Sequence, residues 1–152
     1  MKKIRLIALA MVIVLMAALA CSCGAKEEIE VPVNVKVVGE DKEVILDTAV
    51  LVKSSKPTVL MAIIQACQEA DITIEDDGYD PIGIAGIEDT EDDENLYFWN
   101  CTLDGKDLEA KAANTELTIK PEGEKDWTIV YTYSSIEKTI TDEEGNVVTD
   151  AE

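Results

Sequence analysis

Histidine is missing from the whole chain, and its absence removes most of the usual ways a small protein does chemistry at neutral pH. Without imidazole there is no Ser-His-Asp triad, no Cys-His pair and no histidine ligand for a metal. Positive charge is scarce as well: 13 Lys and Arg stand against 32 Asp and Glu, a formal charge of −19 over 152 residues. Such a surface repels phosphate, which argues against nucleic acid and anionic lipid headgroups as partners. Aromatic residues make up only 5% of the chain, with one phenylalanine, so a single aromatic cluster uses much of the supply. Enzymes built from carboxylates alone survive these exclusions, but a domain of about a hundred residues seldom offers a deep enough cleft. The expectation is a protein that is not an enzyme.

What is present begins with an exported N-terminus. Met1, Lys2, Lys3 and Arg5 form a basic stretch, followed at residues 6–20 by fifteen apolar residues without a break. A membrane-spanning helix needs about 20 such residues, and the sequence turns polar at once, so this reads as a secretion signal. Ala18-Leu19-Ala20-Cys21 has the form of a bacterial lipobox, in which Cys21 is acylated and becomes the first residue of the mature chain; Cys23 is the secondary candidate. Acyl chains on Cys21 anchor the protein to the extracytoplasmic face of a bacterial membrane, each buried methylene adding about 0.8 kcal/mol. Cleavage removes Lys2, Lys3 and Arg5 and no acid, leaving a still more acidic chain. Its surface charge keeps it soluble and favours cations or basic partners.

The expected organisation is a signal peptide over residues 1–20, a lipidated tether over 21–30, a folded domain over 31–133 and an acidic tail over 134–152. Val31, Val33, Val35 and Val37 alternate with other residues at the period of a half-buried strand, and residues 44–52 read as its antiparallel partner. Hydroxyl residues and Pro57 start a helix whose apolar stripe is Leu60, Ile63, Ile64 and Cys67, ending near Asp71. Residues 72–74 form a short strand-like run, 75–78 a turn, and 79–87 an irregular strand containing Pro81, Gly83 and Gly86. Six acids in seven residues at 88–94 predict an exposed loop. The aromatic run Tyr97-Phe98-Trp99 opens a strand to Leu103, and Asp104-Gly105 is a hairpin dipeptide. A helical turn is expected within 106–114, a short strand at 117–119, and a last core strand from Trp127 to Tyr133. The tail after it has two readings, a peripheral hairpin about Glu144-Gly145-Asn146 or disorder. The pattern is α+β: one helix packed across a mixed sheet, in an order that suggests the β-grasp (ubiquitin-like) arrangement.

Candidate site residues are few. Tyr79, Tyr97, Trp99 and Trp127 are the aromatic side chains available to stack on a ligand, although alternation turns Phe98 away from Tyr97 and Trp99, and part of the set, with Tyr131, belongs to the core. Acids at 75–80 and 88–94 raise the question of calcium, but counting from Asp89 an EF-hand would need glycine where Glu94 stands and glutamate where Asn100 stands. A solvated acidic surface is the better reading, and no metal site is assigned. Cys67 and Cys101 either pair as a disulfide, which export permits, or remain two small buried thiols. Neither has a visible base to make it a nucleophile.

The segments 57–64, 79–87, 97–106 and 127–131, with Asp104-Gly105 after the aromatic strand and a Gly-containing turn at 122–126 before the last, resemble the transcobalamin C-terminal-like domain of bacterial surface proteins. That resemblance implies a β-grasp recognition module. In animal cobalamin carriers the related domain closes over a corrinoid held against a separate helical barrel, so a corrinoid would here have half a site unless a partner supplied the rest. The functional expectation is a lipid-anchored, non-enzymatic recognition module for a small ligand or a membrane-protein partner, with a corrinoid or a transporter as the candidates. The alternative is a structural or adhesive domain that pairs through an edge strand and has no small-molecule site.

Overall fold

A computed structural model describes residues 27–138. The expected signal peptide, the candidate acylation sites Cys21 and Cys23 and the chain beyond Lys138 lie outside the described residues. β1 (Ile29–Val38) and β2 (Val44–Ser54) form the expected opening hairpin, paired from Ile29 with Ser54 to Val38 with Val44. The valine comb explains the sheet: Val31, Val33, Val35 and Val37 are at most 1% exposed, while Glu30, Pro32 and Asn34 between them face out.

α1 (Val59–Glu69) is the single α-helix among the described residues and packs its buried face, including Leu60, Ile63, Ala66 and Cys67, on β1 and β2. Thr58 caps it, Oγ1 accepting from the Met61 amide at 3.3 Å. The remaining early amides are satisfied by a long connection downstream, Val59 N–H donating to the Thr115 carbonyl and Leu60 N–H to Ala112. At the other end Asp71 takes a left-handed conformation (φ 61°), with its amide on the Gln68 carbonyl and that of Ile72 on Cys67. This Schellman closure ends the helix at Glu69, slightly earlier than its apolar spacing suggests.

A small sheet follows, β3 (Ile74–Asp76), β4 (Pro81–Ile84) and β5 (Ile87–Glu88) in the order β3-β4-β5. The irregular strand expected over 79–87 is thus a β4–β5 hairpin, turned by Ala85 and Gly86, both at positive φ. The main sheet has the order β2-β1-β9-β7-β6, with β8 also on β7: β6 (Thr90–Glu91), β7 (Asn95–Leu103), β8 (Lys106–Asp107) and β9 (Trp127–Glu137). β1 and β9 run parallel at its centre and the other pairs are antiparallel. Asp104 (φ 51°) and Gly105 (φ 77°) form the two-residue turn expected of Asp-Gly.

Three expectations are corrected. The acidic run 88–94 is not simply a loop, because Thr90 and Glu91 pair with Tyr97 and Leu96 as β6. Residues 117–119 form no strand; Leu117 is buried there, its N–H donating a hydrogen bond to the Pro57 carbonyl, next to an isolated bridge between Thr58 and Glu116. β9 continues past Tyr133 to Glu137, because β7 remains long enough to pair with it as far as Asn95.

Candidate functional site

β7 has an incompletely covered outer edge. β6 pairs with it at Leu96 and Tyr97 and β8 at Thr102 and Leu103; between them the Trp99 amide donates to a side chain, Asp89 Oδ1, at 3.1 Å. At this stretch lies a cleft of about 560 Å³. Its walls come from Asp77 and Asp80 in the β3–β4 turn, the start of β4, Asp89 after β5, the middle of β7, the connection at residues 108–111, and Tyr131 of β9.

The turn residues are held by their own backbone. Asp77 Oδ1 accepts from the amides of Tyr79 and Asp80, each at 2.8 Å, and these bonds hold its carboxyl below the usual range. Asp80 spends both oxygens: Oδ1 accepts from the Ala112 amide at 2.7 Å, and Oδ2 pairs with Lys111 Nζ at 2.7 Å. With Ala113 N–H donating to the Tyr79 carbonyl, this latches the connection to the turn. Burial raises the Asp89 carboxyl above the ordinary range, the Trp99 amide opposes that, and the nearby charges of Asp77 and Asp80 add to the rise. Lys111, held by Asp80, is the only base lining the cleft.

Tyr131 of β9 also lines this cleft, beside Cys101, its partner in register on β7. It is only 2% exposed, and its hydroxyl is shut off from solvent, with the Cys101 thiol as its neighbour and no nitrogen or oxygen partner among the described residues. Burial, followed by the Cys101 thiol, drives the phenol far above its ordinary range, so it stays protonated. A thiol is a weak hydrogen-bond partner, so the hydroxyl is poorly compensated for its loss of water.

The aromatic residues singled out in the sequence do not converge. Trp99 lines the cleft, 7% exposed, its indole N–H on the Ile87 carbonyl at 2.9 Å. Tyr97 stacks on Tyr133 (6.4 Å between ring centres) and donates to Asp92 Oδ2. Trp127 sits at the far end of β9, under Lys120 at 4.0 Å, with its indole N–H on the Thr118 carbonyl. Tyr79 is 55% exposed, and its contribution is through its backbone. The disulfide weighed for Cys67 and Cys101 is not formed: both are free thiols, and burial pushes them up to about 11 and about 12. Both lie near the Tyr131 phenol, which occupies the intervening core. Thiols so strongly protonated are poor nucleophiles. Among the described residues no group of three or more acids or cysteines is placed to hold a metal ion.

Asp77, Asp80, Asp89, Tyr131 and Lys111 were not identified as one site from sequence. The one signal was the pair of acidic stretches around β4 and β5, and only folding brings them against β7 and β9.

No protein-family model matches the sequence, and no curated protein matches it either. Among solved structures, haptocorrin in complex with Cbi has a similar fold, with a TM-score of 0.52 and 18% identity over 73% of this chain. The match spans 26% of the haptocorrin chain. A Ruminococcus gnavus ATCC 29149 protein named as a candidate metal-binding protein aligns with a TM-score of 0.45 and 14% identity, over 69% of this chain and 97% of its own. At 18% identity the haptocorrin likeness is one of fold, and it gives the transcobalamin C-terminal-like resemblance of the sequence a structural counterpart.

Proposed function

We propose that this domain is a β-grasp recognition module of a lipid-anchored bacterial surface protein, and that it binds a small ligand in the cleft between β7 and the β3–β4 turn. The parallel β1–β9 pair flanked by β2 and β7, with α1 on one face, supports the β-grasp reading. The signal-like N-terminus and Cys21 support an extracytoplasmic lipoprotein. The observation that carries the ligand-binding reading is the cleft of about 560 Å³ beside the open stretch of β7, within the size range of small-molecule sites and walled by Ile82, Trp99 and Leu108 as well as by carboxylates. Fixed carboxylates without a nucleophile or a histidine favour recognition over catalysis.

A corrinoid is the ligand brought to mind by the fold, but these residues fit it poorly. The chain has no imidazole for cobalt, and four carboxylates line the cleft. The test is a thermal-shift screen of wild type and Ile82→Arg, which fills the cleft from a half-exposed wall position, against corrinoids, haem, other vitamins, short glycans and amines. A ligand at a hundred times its dissociation constant adds about 2.7 kcal/mol. A shift in wild type that shrinks in Ile82→Arg supports the reading; no shift with any compound overturns it.

One observation favours a second reading. β2 ends the main sheet with an eleven-residue outer edge carrying only Asp47 and Lys53 as charges and Leu51 half-exposed, so it is open to strand addition. Sedimentation velocity on wild type and Ala49→Pro tests it: self-association abolished by the proline would support an adhesive domain, and a monomer at all concentrations would remove self-pairing.

A further inference from the structure

We infer that the face of the main sheet turned away from α1 is an interface for a second copy of this chain, packed sheet against sheet. This is independent of the cleft, and it uses a different surface from the β2 edge. Alternation turns the buried valines of β1 and β2 toward α1 and the residues between them outward, and the register carries the same division across β9 and β7. No outward position on these four strands is buried, so nothing among the described residues covers the face.

Its composition sets it apart from the rest of the surface. Half of the large hydrophobic residues that are exposed among the described residues, Val44, Leu51, Leu96 and Ile136, stand on it. Its charges are matched. The strands place four acids there: Glu30 pairs with Lys53 at 3.4 Å, Asp47 with Lys36 at 3.8 Å and Glu91 with Lys138 at 3.2 Å, while Asp107 accepts from the Asn100 side chain at 3.3 Å. Exposed pairs of this kind add little stability, so their consequence is the removal of charge from the face.

That neutrality identifies the occupant. Two copies of a chain of charge −19 repel one another wherever unmatched acids meet, and this face lets them approach. A face of mixed, balanced charge is also complementary to itself in a two-fold contact, whereas a basic partner would be drawn to the acidic run at 88–94 instead. Four strands about 4.8 Å apart and about ten residues long present roughly 600 Å². Two such faces would bury roughly 1,200 Å², the lower end of specific interfaces, in the aligned packing of a β-sandwich.

Sedimentation equilibrium of the full chain tests this. The expected result is a weak dimer, with a dissociation constant on the order of 10–100 µM, that tightens as salt rises because the residual repulsion is screened. Asn34→Glu, at an exposed outward position of an inner strand, should weaken it about tenfold or more. Lys36→Ala, which leaves Asp47 unmatched, should weaken it several-fold, and Lys36→Ala/Asp47→Ala should recover most of that loss. A monomer at every concentration overturns the inference, and so does a double variant no better than the single one. Association that survives Asn34→Glu overturns it too: loss in Ala49→Pro alone then places the contact at the β2 edge, and indifference to both places it in the apolar residues 6–20.

Discussion

On the β2–β1 side of the main sheet, the positions facing α1 are filled mostly by aliphatic side chains, with Val33 and Val35 in the comb and Ile63 and Ala66 above them, all at most 1% exposed. On the β9–β7 side the corresponding positions include Trp99, Cys101, Tyr131 and Tyr133, which carry an indole, a thiol and two phenols. The first side has little polar to satisfy beyond the half-buried Thr48 opposite Val35. The second satisfies Trp99 through the Ile87 carbonyl and Tyr133 through the Glu88 carbonyl, and leaves Tyr131 with only the Cys101 thiol beside it. Stability is concentrated on one side of the sheet and unspent chemistry on the other, which is how a rigid scaffold presents a site.

The sharpest way to separate the two is to damage the aliphatic side alone. Ile63→Ala removes a fully buried side chain and should destabilise the domain by about 2–5 kcal/mol in urea unfolding. Ligand affinity of the folded fraction should not change, and an equal loss of affinity would mean that the two sides are not separable. Asp80→Ala attacks the other side. It leaves the Ala112 amide without its acceptor and unlatches the connection at residues 108–113, for a loss of about 2 kcal/mol. The Lys111 pair contributes little to that figure because the Lys111 side chain is 62% exposed. Hydrogen exchange should accelerate at Ala112 and Ala113 while Val33 and Val35 keep their protection.

Tyr131→Phe should move stability in the opposite direction. Removing a buried hydroxyl whose neighbour is only a thiol should raise the unfolding free energy by up to about 1 kcal/mol. A destabilised protein would show that the Cys101 contact is a working hydrogen bond.

The aliphatic side was legible because its information is local. Valine at alternate positions fixes a strand and its buried face, Leu60, Ile63 and Cys67 fix a helix face, and Asp104-Gly105 fixes a turn within two residues. The cleft was not, because it depends on which segments meet. Nothing local distinguishes Asp89, which caps the open stretch of β7 against Trp99, from its neighbours in the acidic run. Aromatic character was a poor guide for the same reason. Tyr97 and Trp127 use their polar atoms on Asp92 and Thr118, so side chains that look available in sequence are already occupied.

Two acids of that run, three positions apart, provide the subtlest test of the comparison. Asp92 accepts the amides of Glu94 and Asn95 and the Tyr97 hydroxyl, and these bonds hold its carboxyl below its ordinary value in the folded state. Its contribution to stability is therefore present above the unfolded-state value, near 3.8, and is lost as pH falls through the lower folded value. Asp89 is displaced upward, mainly by burial, so its ionised form is disfavoured by folding. Its penalty is present above the raised folded value and disappears as pH falls toward 3.8. Asp92→Asn should be less stable than wild type at pH 7, with the gap closing only below the ordinary carboxylate range. Asp89→Asn should be at least as stable as wild type at pH 7, with its advantage vanishing at a higher pH than the Asp92 gap. Unfolding curves for both variants between pH 7 and pH 2 measure the two crossings. If Asp89→Asn tracks Asp92→Asn instead, the Asp89 carboxylate is favoured by folding as its neighbour is, and its partial desolvation beside Trp99 is too weak to matter.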